Sequence, residues 1–363
     1  MNDIDEMLND SAVRFFTDLC SRDVLDQVEQ GKWLPASWSD MKDLGLVGAA
    51  VMPLDDEVEG LPLASLCTLA RQAGRFNLPL PLVETFIAQR ALRRSGIGFA
   101  DDEAIGMSTL AEQKPVHLEK RDGGYTATGV LHSVAWGRHC GNVLAPARLE
   151  GRPCLALIPR PESVEHRLNL AGEPRDRIRF DAVALAQEQV AVLDTADILD
   201  DLVFEGALFR AMQISGAMQQ VLRMTIDYAK EREQFGRAIA KFQAIQQQIA
   251  EQAGQTASAT AAADAAAHAS AQRVACVEAA MAKIRASEAA TLSCTIAHQV
   301  HGAMGFTHEH ALHLSSRRLL AWRDEFGSDG YWADWLGRRL VSITGASLWE
   351  SVTNPSFLLS PEA

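Results

Sequence analysis

Residues 228–243 read YAKEREQFGRAIAKFQ, and residues 299–310 read QVHGAMGFTHEH. The first stretch is expected to end one helix at Gly236 and to start another soon after. Arg232, near that helix end and beside a glycine turn, carries a forked guanidinium that matches phosphate oxygens. Phe235 offers a flat surface for stacking. The same spacing equally describes a helix–turn–helix with a solvated arginine and a core phenylalanine, and both readings stand at this point. In the second stretch, Gly302 and Gly305 open the backbone where a long helix ends, so that a ligand's phosphates or amides can come close.

Working outward, residues 249–300 are rich in alanine, the best helix former. Polar residues such as Gln252, Gln255, Asp264 and Gln272 interrupt the run, which excludes a membrane span and predicts two long helices packed closely through small side chains. Upstream the pattern changes. AIGMSTL, PVHLEK, YTATGVLH, NVLAPARL, PCLALIPR, RIRFDAV and EQVAVL are short, alternating or β-branched, and turn signals such as Asp122-Gly123-Gly124 separate them. They predict a small antiparallel barrel or sandwich. Residues before about 100 return to helical spacing in VRFFTDL, VLDQVEQGKWL, SWSDMKDLGLVG, LASLCTLARQAGRF and PLVETFIAQRALRRSG. Ser37 or Ser39 is expected to cap the third of these, with Gly45 at its end. The fold class is therefore mainly α with a small β domain. An N-terminal helical domain covers 1–103, a middle antiparallel β domain 104–195, and a C-terminal helical bundle 196–363.

Composition narrows the function. The 363 residues hold 34 Lys+Arg against 47 Asp+Glu, a net charge of −13, the wrong sign for a general nucleic-acid or anionic-membrane binder. The acidic start MNDIDEMLND lacks the features of a secretion signal. Six cysteines without a CxxC pair read as reduced and packed, which fits the cytoplasm. His308, Glu309, His310 and His313 invite a metal reading, but Leu312 stands where HExxH needs its second histidine, and no metal is expected.

Taken together, Arg232, Phe235, Gly236, Phe242 and Gln243, followed downstream by Gln299, His301, Gly302, Gly305, Phe306, Thr307 and Glu309, resemble the paired motifs of the acyl-CoA dehydrogenase family. WSDMKDLGLVGAAVMP, with Pro53 at its end, is similar to an N-terminal segment of that family, and the helix–strand–helix order is similar too. The resemblance implies a flavoprotein that holds FAD and removes an α-proton and a β-hydride from an acyl-CoA thioester, giving a 2-enoyl-CoA. It implies that Arg232 contacts the FAD diphosphate, that Phe235 packs on the adenine side, that Gln299 and Gly302 line the adenosine and diphosphate path, and that Gln243 also belongs to the cofactor site. These contacts reach a neighbouring subunit's FAD, so an oligomer is implied, and an electron-accepting flavoprotein is the partner for turnover. His310, His313, Leu314, Arg317 and Arg318, followed by Phe326-Gly327, resemble a subset of short subunits. Such subunits work within heteromeric, α2β2-type dehydrogenases, several of which act on CoA thioesters of steroid side chains.

The general base is the weak point of the match. In many relatives it is a glutamate twenty-seven residues after the motif glutamine; here that count reaches Phe326, with Glu325 one place early. In others it lies on the first C-terminal helix, where a gapless count reaches Gly206, with Glu205 adjacent. Glu205 sits in LVFEGALF, an apolar setting of the kind that raises a carboxyl pKa, and is the first candidate; Glu325 is the second. A base supplied by a partner chain, with this chain completing a sister subunit's FAD site, is the alternative.

Overall fold

The computed structural model describes residues 3–52, 60–271 and 273–342. Pro53, Gln272, the first two residues of the acidic start and everything past Ser342 lie outside the described residues. Five helices come first: α1 (Asp3–Leu19), α2 (Arg22–Glu29), α3 (Pro35–Asp43), α4 (Leu63–Arg75) and α5 (Leu82–Ser95). The expected caps of α3 are displaced. Pro35 opens the helix, its fixed φ suiting the first turn, so Ser37 and Ser39 lie inside it.

All seven strand-like runs form strands: β1 (Ile105–Ser108), β2 (Val116–Arg121), β3 (Gly124–Ala135), β4 (Asn142–Leu149), β5 (Arg152–Pro159), β6 (Arg175–Ala186) and β7 (Val190–Val192). They make one sheet in the order β1-β3-β2-β4-β5-β7, with β6 against the other edge of β3. The sheet is mixed rather than antiparallel throughout, because β4 runs parallel to both β1 and β2. Strand alternation fixes which face a residue takes, not the direction of its neighbour.

The remainder is helical again. α6 (Asp197–Glu231) spans 35 residues, a two-residue ribbon β8 (Glu233–Gln234) and β9 (Arg237–Ala238) follows, and then come α7 (Gln243–Ala269) and α8 (Cys276–His301). A short turn over Gly302–Phe306 leads to α9 (Leu312–Trp322) and α10 (Asp329–Ser342). Among the described residues no helix is long and apolar enough to cross a membrane. One apolar core runs from Leu8 and Phe16 of α1 through α4, α6 and α8 to Trp332 of α10, and a second fills the sheet around Val116, Leu131, Ile158 and Phe180. α4 and α6 cross with their backbones in contact. A Cβ at Gly216 would lie 2.0 Å from the Arg71 carbonyl oxygen, so this approach admits only glycine.

Candidate functional site

The two motif stretches meet at one corner. α6 ends at Glu231 rather than at Gly236, and the Arg232 N–H donates to the Tyr228 carbonyl at 2.8 Å. The difference comes from the β8–β9 ribbon, where Phe235 and Gly236 both take positive φ (53° and 76°), as a type I′ turn requires. That conformation is costly for a bulky side chain, and it lifts the Phe235 ring into the open at 92% exposure. Phe235 is thus not a core residue. Its ring meets Phe242 edge-on at 6.1 Å, and the Arg237 guanidinium lies over Phe242 at 4.2 Å.

α8 reaches the same place from below. Ala229 and Ile239 of the first stretch pack on Ile296 and Val300 of α8, and Tyr228 stacks on His301 at 4.4 Å. Gln299, Gly302 and Phe306 (73% exposed) present an open face there, beside a groove of about 450 Å³ that runs along Thr291, Thr295 and His298. Gln243, the first residue of α7, is exposed next to Phe242. Arg232 is exposed and pairs with no carboxylate among the described residues. A free cation, a bare aromatic face and an open glycine turn suit a ligand that is anionic at one point and aromatic at another. The diphosphate and adenine of FAD have that chemistry, so the residues present fit this half of the cofactor.

A second feature is a cleft of about 240 Å³ between the sheet and the first turns of α6. Met107, Leu144 and Pro146 face Leu199, Leu202 and Val203 across it, and Gln113, Arg148 and Asp200 also line it. Burial, with Asp197 and Asp201 nearby, pushes the Asp200 carboxyl up. Phe326, 2% exposed, lines the cleft from the C-terminal side. Its φ is 52°, its N–H donates to the Thr109 carbonyl at 2.6 Å, and its carbonyl accepts from Trp332 Nε1 at 2.9 Å. The ring lies flat against Gly206, where a Cβ would come within 2.1 Å of Phe326 Cδ1. The two positions reached by counting for a base are therefore in contact, and neither carries a carboxylate.

The two glutamates beside those positions are tied elsewhere. Glu205, in the third turn of α6, is buried and takes Nε and Nη2 of Arg90 at 3.1 and 3.2 Å. Arg94 adds a longer contact at 3.4 Å, and Glu205 does not line the cleft. Glu325 is buried among charges. It accepts from Arg175 at 2.7 and 3.1 Å, from Arg210 Nε at 2.8 Å and from Asn169 at 3.1 Å. Burial alone would raise its pKa; Arg175 and Arg210 outweigh burial and hold it down to about 2. Arg210 also reaches Glu84 at 2.5 Å, Arg175 reaches Glu173 at 3.0 Å, and Arg318 pairs with Glu173 at 3.3 Å. Three carboxylates and three guanidiniums thus balance inside the protein. Lys283, fully buried, donates to the Arg323 and Gly327 carbonyls at 2.6 and 2.7 Å and so fastens the loop that carries Glu325 and Phe326; burial pushes its pKa down to about 7. Sequence reading missed Glu84, Glu173, Arg175, Arg210 and Lys283. Arg210 alone gave a signal, an arginine inside the apolar run ALFRAM.

Comparison with known proteins adds to this geometry. Residues 204–341 match the family described as acyl-CoA dehydrogenase, C-terminal domain. Acyl-CoA dehydrogenase IpdE2 of Mycolicibacterium smegmatis is 36% identical over 277 residues, covering 75% of this chain and 78% of that protein. A chain of the ChsE4-ChsE5 complex from Mycobacterium tuberculosis superposes with a TM-score of 0.83 at 19% identity, over 95% of this chain and 99% of that one. A chain of the Tcur3481-Tcur3483 steroid ACAD gives 0.80 at 23% identity, over 93% and 97%.

Proposed function

This chain belongs to the acyl-CoA dehydrogenase family, and on that premise we propose that it is one subunit of a heteromeric, FAD-dependent acyl-CoA dehydrogenase whose base and flavin ring lie in a sister chain. The observation that carries this reading is the Phe326–Gly206 contact, which puts an aromatic ring and a bare backbone where a proton acceptor is needed. Glu205 and Glu325 do not substitute. A base must reach the substrate and take a proton: Glu205 is tied by Arg90 and Arg94 away from the cleft, and Arg175 and Arg210 hold Glu325 in its charged form. The cleft, at about 240 Å³, falls short of the roughly 300 Å³ at which ligand pockets begin.

Bound FAD supplies the acceptor for the substrate's β-hydride. The residues of this chain hold and orient its far end. Arg232 meets the diphosphate, Phe235 packs on the adenine side, and Gln243, Gln299 and Gly302 line the path between them. Because that corner is exposed here, the sister chain closes over it. A substrate with a steroid side chain joined to CoA follows the likeness to the Tcur3481-Tcur3483 steroid ACAD, and that protein and the ChsE4-ChsE5 complex each pair two chains. An electron-accepting flavoprotein completes turnover. The six free cysteines suit a reducing compartment such as the cytoplasm.

The test is co-expression with the product of the adjacent acyl-CoA dehydrogenase-like reading frame, with flavin counted per chain. This chain alone should be colourless, and the assembly yellow and active. A yellow chain that is reduced by an acyl-CoA on its own would overturn the proposal. In the assembly, Arg232→Ala should weaken FAD retention by about 2 kcal/mol, roughly 30-fold, as read by equilibrium dialysis. Glu205→Gln should leave turnover per flavin within about twofold of the parent, since loss of a general base costs roughly 100-fold or more; a loss of that size would return Glu205 to candidacy.

A further inference from the structure

Five of the ten histidines crowd into residues 298–313, from the last turn of α8 across the open Gly302 turn to the start of α9. His301 lies between the Tyr228 ring, stacked at 4.4 Å, and the His310 ring, edge-on at 4.6 Å. Its Nδ1 is 2.7 Å from the Ala297 carbonyl, which can only accept, so Nδ1 carries the proton. Its Nε2 is buried with no partner among the described residues. His313 repeats the arrangement, with Nδ1 donating to the His310 carbonyl at 2.8 Å and Nε2 buried and bare. His310 Nδ1 accepts the Leu312 N–H at 3.1 Å and is therefore unprotonated. His298 bonds Ser316 through Nε2 and leaves Nδ1 buried without a partner.

A second proton on His301 or His298 would fall on a buried nitrogen that has nothing to donate to among the described residues. Among the described residues no carboxylate pairs with these rings. The neighbouring elements offer Arg22 from α2, whose Nη1 donates to the Glu309 carbonyl at 2.5 Å, Tyr228 from α6, and His308 from the connecting segment. Glu309 is exposed and forms no ion pair with the rings among the described residues. Burial, with the neighbouring histidines, pushes His301 down to about 4, and burial with His313 and Arg22 lowers His310.

Tyr228 stands four residues before Arg232 on α6, and His301 stands next to Gly302 on α8. We propose that Tyr228, His301 and His310 form an uncharged aromatic stack that fixes the Arg232 segment against the Gly302 segment, so that protonating the stack opens this corner and sheds the bound nucleotide. The nucleotide in this statement rests on the function proposed above; the mechanics of the stack do not. The sign follows from linkage. A folded value below the ordinary 6.5 of histidine means that the neutral ring contributes in full above about pH 6.5, and the contribution is lost as pH falls towards 4.

Melting temperature of the full chain is measured from pH 7.5 to 4.5, together with FAD retained by the assembly after filtration. The parent should lose stability below pH 6.5 and have begun to release FAD at pH 4.5, as the value near 4 for His301 is approached. His301→Phe keeps a stacking ring that takes no proton, and should move both transitions down by about one pH unit. An unchanged pH dependence of melting in that variant would overturn the proposal. A flattened melting profile in a protein that binds no FAD in any assembly would uphold the stack and sink the cofactor reading instead. Should the variant fail to fold, histidine Cε1–H titration of the parent decides: a midpoint for His301 at or above 6.5 overturns the idea, and one below 5 upholds it.

Discussion

Glu325→Gln should cost about 3–5 kcal/mol of folding stability, seen as a lower urea midpoint with an unchanged slope. The carboxylate accepts four bonds from Arg175, Arg210 and Asn169 inside the protein. An amide there returns one acceptor at most and turns an N–H₂ towards two guanidiniums. Three buried positive groups would then face two carboxylates, and a charge left without its partner away from water is the costly case. The same carboxyl, held near 2 against an ordinary value close to 4.5, contributes stability that is complete above about pH 4.5 and disappears as the pH drops towards 2. If Glu325 were instead the proton acceptor, the substitution would leave the urea midpoint nearly unmoved and stop turnover.

Gly206→Ala is the second large effect expected. The added methyl would stand 2.1 to 2.5 Å from three atoms of the Phe326 ring. The ring has nowhere to retreat, because its backbone is pinned by the Thr109 carbonyl on one side and the Trp332 indole on the other. Overfilling of this kind costs about 1–3 kcal/mol. Phe326→Leu alone leaves a void, yet combined with Gly206→Ala it should recover much of the loss. A double-mutant cycle in urea should therefore give a coupling energy of at least about 1 kcal/mol, and additive losses would show that the two residues do not touch.

Which parts of this were legible beforehand follows from how far apart the participants lie in the chain. The corner where the two motif stretches meet was readable because each half is a local pattern: Arg232 to Gln243 on one side, Gln299 to Phe306 on the other. The seven strands were readable from alternation, whereas the parallel pairing of β4 with β1 and β2 was not, since nothing in a single strand records its neighbour's direction. The end of α6 was misplaced by five residues because Gly236 serves a hairpin turn and not a helix terminus. The buried charges were opaque for a simpler reason. Glu325 finds Arg175 and Arg210 across 150 and 115 residues, and no local spacing links them. The same distance hid the meeting of Phe326 with Gly206, although both positions had been reached separately by counting.

The crossing of α4 on α6 at Gly216 bears on synthesis. Helices α4 and α5 leave the ribosome before α6, the helix against which they pack. Until α6 emerges, Leu66, Phe86 and their neighbours lack that cover, so the nascent chain exposes apolar surface in the interval. A fragment that stops before α6 is therefore expected to aggregate, which its soluble yield on expression would show.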